Sequence, residues 1–263
     1  MTLTPKKNTQ EIWQEDLPIS KFDAHKYDRG HAVIFAAPEL TGATRLAASA
    51  CSRIGAGLTT VLAPVRADIY RTALPADIMV RETMTSLSSK IAVTLGGPGG
   101  LLVEHRDAIL DNVLKSNRVF DAGAIPVKSD FYYLDESCVL TPHEGEFAKV
   151  FPRLSGPLIN KAAMAAQESG AIVVLKGPRT HIAHPDGRIV VNEHASPYLA
   201  TAGTGDVLAG MIAGLIAQGM PNFEACCAAV WIHGEAARRF GPGLIASDIP
   251  DIIPQILADL LKK

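Results

Sequence analysis

ATAGTGDVLAGMIAGLIAQG, residues 200–219, is apolar and small-sided almost throughout, yet it carries one carboxylate, Asp206, directly after a run of glycines. Three readings compete for it: a membrane span, a buried helix with a capped start, or a glycine loop that opens onto a helix. Roughly twenty residues are enough to cross a bilayer, and Gly210 and Gly214 stand in the G-x-x-x-G spacing used at helix contacts in membranes. Against this, a carboxylate buried in lipid is costly. Neither flank has the Lys/Arg bias or the aromatic anchors of a spanning helix. The stretch therefore reads as a helix inside a soluble core, with no membrane partner, and the remaining chain must supply the layers that bury it.

Apolar runs of strand length alternate with segments of helix length: HAVIFAA (31–37), GLTTVLA (57–63), IAVTLGG (91–97), NRVFDAG (117–123), SCVLTP (137–142) and GAIVVLKG (170–177). That alternation predicts an α/β fold with a mostly parallel central sheet covered by helices. RTHIAHPDGRIVVNE (179–193) reads as a hairpin that turns at Pro185, Asp186 and Gly187. Helices are expected over 42–54, 101–114, 158–168, 206–218, 223–240 and 248–261. No repeat or linker divides the chain, so a single domain over 1–263 is expected.

With 48% hydrophobic and 20% charged residues, the 263-residue chain has the balance of a globular protein. A net charge of -2 offers no electrostatic footprint for nucleic acid or acidic lipid. The cysteines, Cys51, Cys138, Cys226 and Cys227, have neither zinc spacing nor the density of a disulfide framework, which points to a reducing, cytoplasmic setting. MTLTPKKNTQEIWQEDLP (1–18) lacks the apolar core of a signal peptide.

In open α/β sheets, ligands bind beyond the carboxyl ends of the strands, and five strings fall there. TAGTGD (201–206) precedes a helix whose first N–H groups need partners. Gly203 and Gly205 let those groups converge on an anion such as phosphate; equally, Thr204 or Asp206 could cap the helix. Asp206 beside a bound phosphate would be placed to take a proton from an attacking hydroxyl. In LKGPRT (175–180), Lys176 ends a buried strand, and taken alone it reads best as an exposed loop lysine. VTLGGPGGL (93–101) is a second glycine-rich strand-to-helix join. LTPHEGEF (140–147) sets His143 and Glu146 three apart, either a weak two-ligand metal hint or a polar helix start. FDAGA (120–124) ends a strand on Asp121, to bind a ligand or cap the next segment. The other histidines show no metal spacing, and no nucleophile elbow, P-loop lysine motif or dinucleotide fingerprint is present.

Taken in order, TGATRLAASACSRIGAGLTTVLAP, GGPGG, FDAGA, LTPHEGEF, VVLKGPRTHIA, LATAGTGDVLAGMIAGLIAQG and ASDIPDIIPQIL resemble the NAD(P)H-hydrate dehydratase family of the ribokinase-like superfamily, from about His31 to the C-terminus. The resemblance implies a ribokinase-like sheet with helices on both faces, and repair of damaged cofactor. The S epimer of NADH-hydrate or NADPH-hydrate is dehydrated with conversion of ADP, or ATP in eukaryotic-type members, the hydroxyl being phosphorylated and then lost as phosphate. Carried over by position, Asp206 is the base facing the hydrate hydroxyl. Ala43, Gly99 and His143 contact the hydrate. Lys176, Gly177, Pro178, Arg179 and Thr180, with Gly203, Thr204 and Gly205, hold the nucleotide. Mg²⁺ accompanies the nucleotide with no protein ligand named. A homo-oligomer, often a tetramer, and a functional pairing with a separate NAD(P)H-hydrate epimerase are also implied. Only about thirty residues precede HAVIFAA, so the epimerase domain often fused ahead of this one is not expected here.

The chain departs from the family pattern at Ala37, where a Gly-Gly-Ser stretch is usual, and at Gly123, Glu144 and Ala202. Two other readings remain: a ribokinase-like kinase acting on a vitamin-precursor alcohol, which is not expected to carry LTPHEGEF, and a nucleotide-binding protein that has lost activity.

Overall fold

Strand β2 (His31–Phe35) shows why the layers form. Its five residues are all buried and alternate across the sheet, Ala32 and Ile34 entering one apolar cluster and Val33 and Phe35 the other. A strand buried on both faces needs helices on both faces. The same split recurs in β8 (Ile172–Leu175), with Ile172 and Val174 on one side and Val173 and Leu175 on the other. These features are seen in a computed structural model that describes residues 5–20, 22–87 and 90–262. The domain expected over 1–263 reaches beyond those residues at both ends.

Ten strands form one sheet among the described residues. In chain order the other strands are β1 (Lys6–Lys7), β3 (Leu58–Leu62), β4 (Met79–Arg81), β5 (Val93–Gly96), β6 (Asn117–Phe120), β7 (Cys138–Leu140), β9 (Thr180–Ala183) and β10 (Ile189–Asn192). They lie in the order β1-β10-β9-β8-β7-β6-β5-β2-β3-β4, parallel except where β9 runs against β8 and β10. All six expected strands and the hairpin are present. Ala183 pairs with Ile189 around a turn in which the His184 N–H donates to the Arg188 carbonyl at 2.9 Å.

One face carries α1 (Thr41–Arg53), α6 (Thr204–Ala217), α7 (Asn222–Phe240) and α8 (Ile249–Leu260); the other carries α3 (Val103–Leu110), α4 (Glu144–Val150) and α5 (Leu158–Ser169). The alanines of α5 and α7 are buried within the chain's own core. Three expectations shift. The helix expected over 101–114 is α3, which is shorter and is followed by Asn112 in the left-handed region at φ 49. A short helix, α2 (Ala67–Ala73), and the two-residue edge strand β1 were not foreseen. The HEGEF segment is a full helix, α4.

Helix α6 settles the opening question. Every residue of it but Gly205 and Asp206 is buried, and at 14 residues it is too short to span a bilayer. No helix among the described residues is long and apolar enough to cross a membrane. Gly210 and Gly214 do serve a helix contact, against α1: a β-carbon on Gly210 would lie 2.1 Å from the Ala47 carbonyl oxygen, and one on Gly214 2.2 Å from Ile54.

Candidate active site

The strand order reverses at β2. From β2 the chain steps outward to β3 and β4, then returns to place β5 on the other side of β2 and continues to β6, β7 and β8. Loops leaving β2 and β5 diverge there and open a crevice at the carboxyl edge. The loop after β2 and the GGPGG loop after β5 meet in it. The Ala37 N–H donates to Thr44 Oγ1 at 2.9 Å, and Thr44 Oγ1 donates to the Pro98 carbonyl at 3.1 Å. Gly99, at φ 80, lies so close that a β-carbon there would be 2.9 Å from the Ala43 methyl and 2.4 Å from the Leu40 carbonyl. Ala43 and Gly99, singled out separately in the sequence, are thus neighbours. Ala37 is fully buried and its carbonyl accepts the Tyr70 hydroxyl at 2.8 Å, so the departure from the Gly-Gly-Ser pattern is absorbed by packing.

Across the crevice, α6 begins at Gly203, whose φ of 92 favours glycine. Neither expected cap exists. No side chain caps the helix, and Thr204 Oγ1 instead donates to the carbonyls of Leu199 at 2.9 Å and Thr201 at 3.1 Å. Asp206 is left half-buried in the first turn. Burial, reinforced by the nearby charges of Asp121 and Glu146 and opposed by Lys176, pushes its pKa up to about 6. Such a group is a base that works near neutrality.

Lys176 is not the exposed loop lysine that the string alone suggests. Its side chain is 17% exposed, and Nζ donates to Asp121 Oδ1 at 2.7 Å. Asp121 does not cap the segment after β6; the same oxygen accepts the Thr141 hydroxyl at 2.7 Å. His143 caps α4: its Nδ1 accepts the N–H groups of Gly145 at 2.9 Å and Glu146 at 3.3 Å, while the His143 N–H donates to Glu146 Oε2 at 2.8 Å. With Nδ1 accepting from the backbone, the other ring nitrogen, Nε2, lies 3.5 Å from Glu146 Oε1. These hydrogen bonds bear out the helix-start reading of His143 and Glu146. Among the described residues no three His, Cys, Asp or Glu side chains gather in a cation site. The donors present fit a Mg²⁺ ion carried on nucleotide phosphates, not one caged by protein.

A cleft of about 810 Å³ runs from this point over the hairpin and α7, lined by His143, Lys176, Gly177, Pro178, Thr180, Thr204 and Gly205 among the expected residues. Arg179 is not part of its wall; its guanidinium turns back to Glu193 Oε1 at 3.2 Å. The far end is formed by residues without any sequence signal, Pro197, Leu199 and Ala200 before α6 and Val230, His233 and Gly234 on α7. Burial holds the His233 imidazole down near 4, so it is neutral. A second groove of about 850 Å³ lies by α8 and residues 17–20 and contains none of the candidate site residues, so volume alone does not mark the site.

Known proteins place this geometry. A family model described as NAD(P)H-hydrate dehydratase matches residues 32–255. The chain is 35% identical to the ADP-dependent (S)-NAD(P)H-hydrate dehydratase of Neisseria meningitidis, over 86% of this chain and 84% of that one. It is 34% identical to the bifunctional NAD(P)H-hydrate repair enzyme of Moorella thermoacetica over 94% of this chain, of whose length it spans only 53%. In structure it matches the Bacillus subtilis ADP/ATP-dependent NAD(P)H-hydrate dehydratase co-crystallized with ATP/Mg²⁺, with a TM-score of 0.82 and 26% identity over 98% of this chain and 100% of that one. The ribokinase-like, mostly parallel sheet implied by the motifs is therefore the fold found, and the chain belongs to the NAD(P)H-hydrate dehydratase family.

Proposed function

We propose that this chain is an ADP-dependent carbon–oxygen lyase that dehydrates the S epimer of NADH-hydrate or NADPH-hydrate, releasing AMP and phosphate. The observation that carries the reading is Asp206, held half-buried with a raised pKa in the uncapped first turn of α6, within reach of Lys176. The hydrate lies on the Ala43 and Gly99 side, met by the His143 ring; the nucleotide lies on Lys176, Gly177, Pro178 and Thr180, with its terminal phosphate on the N–H groups of Gly203, Thr204 and Gly205. Arg179, paired with Glu193, meets it only at the rim.

Asp206 takes the proton of the hydrate hydroxyl as its oxygen attacks the terminal phosphorus, and AMP leaves with the bridging oxygen. The ring nitrogen lone pair then expels phosphate by breaking the carbon–oxygen bond. Loss of a proton from the adjacent ring carbon restores the nicotinamide double bond. Mg²⁺ arriving with the nucleotide would supply charge screening; the chain itself supplies positioning and fixed positive potential, which is most of what phosphoryl transfer needs.

The dehydratase reading is supported by likeness to relatives named ADP-dependent. By the same resemblance we assign a single domain, a cytoplasmic homo-oligomer up to a tetramer, and a separate epimerase that supplies the S epimer. Purified protein given S-hydrate and ADP should restore the near-ultraviolet absorbance of NADH. Recovery with neither ADP nor ATP overturns the reading, and phosphate transfer to another alcohol without it would make the protein a small-molecule kinase.

A further inference from the structure

Asp121 has no place in the scheme above, yet it is buried and tightly held in the crevice. It is 2% exposed at the end of β6, between β5 and β7. Its carbonyl occupies the space a β-carbon on Gly97 would need, 1.6 Å from that position, and its N–H donates to Gly96 at 3.0 Å. One carboxylate oxygen accepts both Thr141 Oγ1 and Lys176 Nζ, each at 2.7 Å. Lys176 reaches it from β8, 55 residues away in sequence, and the ammonium stands 3.3 Å from where a β-carbon on Gly205 would be. The cation therefore lies against the first turn of α6.

The ammonium pairs with Asp121, and Asp206 senses its charge. The charged groups facing Asp206 are Asp121 from the end of β6, Lys176 from the end of β8 and Glu146 from α4, while His233 of α7 is buried and neutral. Paired with Asp206, Lys176 would make that carboxylate a weaker base and would leave the phosphate loop without its cation. We propose that Asp121 is a positioning residue: by binding Lys176 it keeps the ammonium at the mouth of α6, where the phosphoryl group passes, and leaves Asp206 free to accept the hydroxyl proton. What passes through the crevice rests on the dehydratase reading; which group holds Lys176 rests on the hydrogen bonds alone.

Asp121→Asn is close to isosteric and can keep the Thr141 contact while losing the charge that holds Lys176. The first measurement uses the free protein: an NMR titration of ¹³C-labelled aspartate carboxyls, with the Asp206 signal assigned by its loss in Asp206→Asn. Its midpoint, near 6 in the unaltered chain, should fall by about one pH unit or more, since a repelling charge is gone and Lys176 is released toward it. In turnover, kcat should drop about tenfold or more, the KM for ADP should rise, and the acid limb of the rate profile should move down with the midpoint. Thr141→Val, which removes the other partner of Asp121, should shift the midpoint in the same direction by less and keeps the test open if Asp121→Asn does not fold. An unmoved midpoint, with any loss of rate matched by a loss of melting temperature, overturns the proposal and leaves Asp121 a structural group. A moved midpoint in a chain without hydrate turnover supports the positioning role and overturns the dehydratase reading alone.

Discussion

The two glycine pairs of the α6 segment are opposites. Gly210 and Gly214, in its body, have no free space at all: the Ala47 and Cys51 carbonyls of α1 and the Ile54 side chain occupy what a side chain would need. Gly203 and Gly205, at its start, leave backbone donors without a side-chain cap and Asp206 half-buried beside them. Where a helix is packed to the limit, glycine increases stability by letting two backbones touch. Where the helix start is kept open, stability is given up, since a glycine in place of a capping side chain costs about a few tenths of a kcal/mol and a carboxylate whose proton affinity is raised by burial weighs against the folded state whenever it is ionised. A segment that reads as one apolar run is thus a rigid body with a deliberately unfinished end.

Altering each end should separate the two roles. The largest effect belongs to Asp206→Asn: turnover should fall by about 10²–10⁴-fold with ADP affinity by calorimetry changed little. The same variant should melt higher. The Asp206 pKa stands at about 6 against an ordinary 3.8, so its ionisation opposes folding fully above pH 6. The gain, about 1–2 kcal/mol after allowance for solvent screening, should be present at pH 7 to 8, shrink as pH falls through 6 and vanish near 4. Gly210→Leu should do the reverse. Scanning calorimetry should show a loss of about 3 kcal/mol, at the upper end for overpacking, with kcat per folded molecule unchanged. For the unaltered chain, kcat should fall toward tenfold per pH unit below about 6, the limb set by Asp206. The smallest effect is expected from Arg179→Ala, since an exposed pair with Glu193 contributes about 0–1 kcal/mol. A change in the KM for ADP beyond a few-fold would place that guanidinium on the nucleotide after all.

What could be read in the sequence follows from the range of the forces involved. The unbroken apolar run of β2, the Pro-Asp-Gly turn and the apolar run of α6 are local patterns, and the fold they imply was found. So were the positions that end strands, because polar residues at the close of an apolar run have nowhere to go but the edge of the sheet. Strand β1 escaped because two exposed lysines carry no strand pattern and pair with β10 through backbone alone. The choice between cap and open loop at α6 is not legible in sequence because Thr204 finds the carbonyls of Leu199 and Thr201 rather than its own helix. Lys176 looked solvated because its partner is 55 residues away. FDAGA did flag Asp121, but composition cannot say that the two meet. Residues 195–200, which close the far end of the cleft, follow no periodicity at all.

The most direct test of the account follows NADH absorbance after S-hydrate and ADP are added to the unaltered chain and to Asp206→Asn, with ADP binding measured on both. The account predicts recovery of absorbance with stoichiometric release of AMP and phosphate in the first, and no recovery but near-equal ADP binding in the second. Normal turnover by Asp206→Asn would contradict it, leaving Asp206 no part in the chemistry and the open start of α6 without the purpose assigned to it.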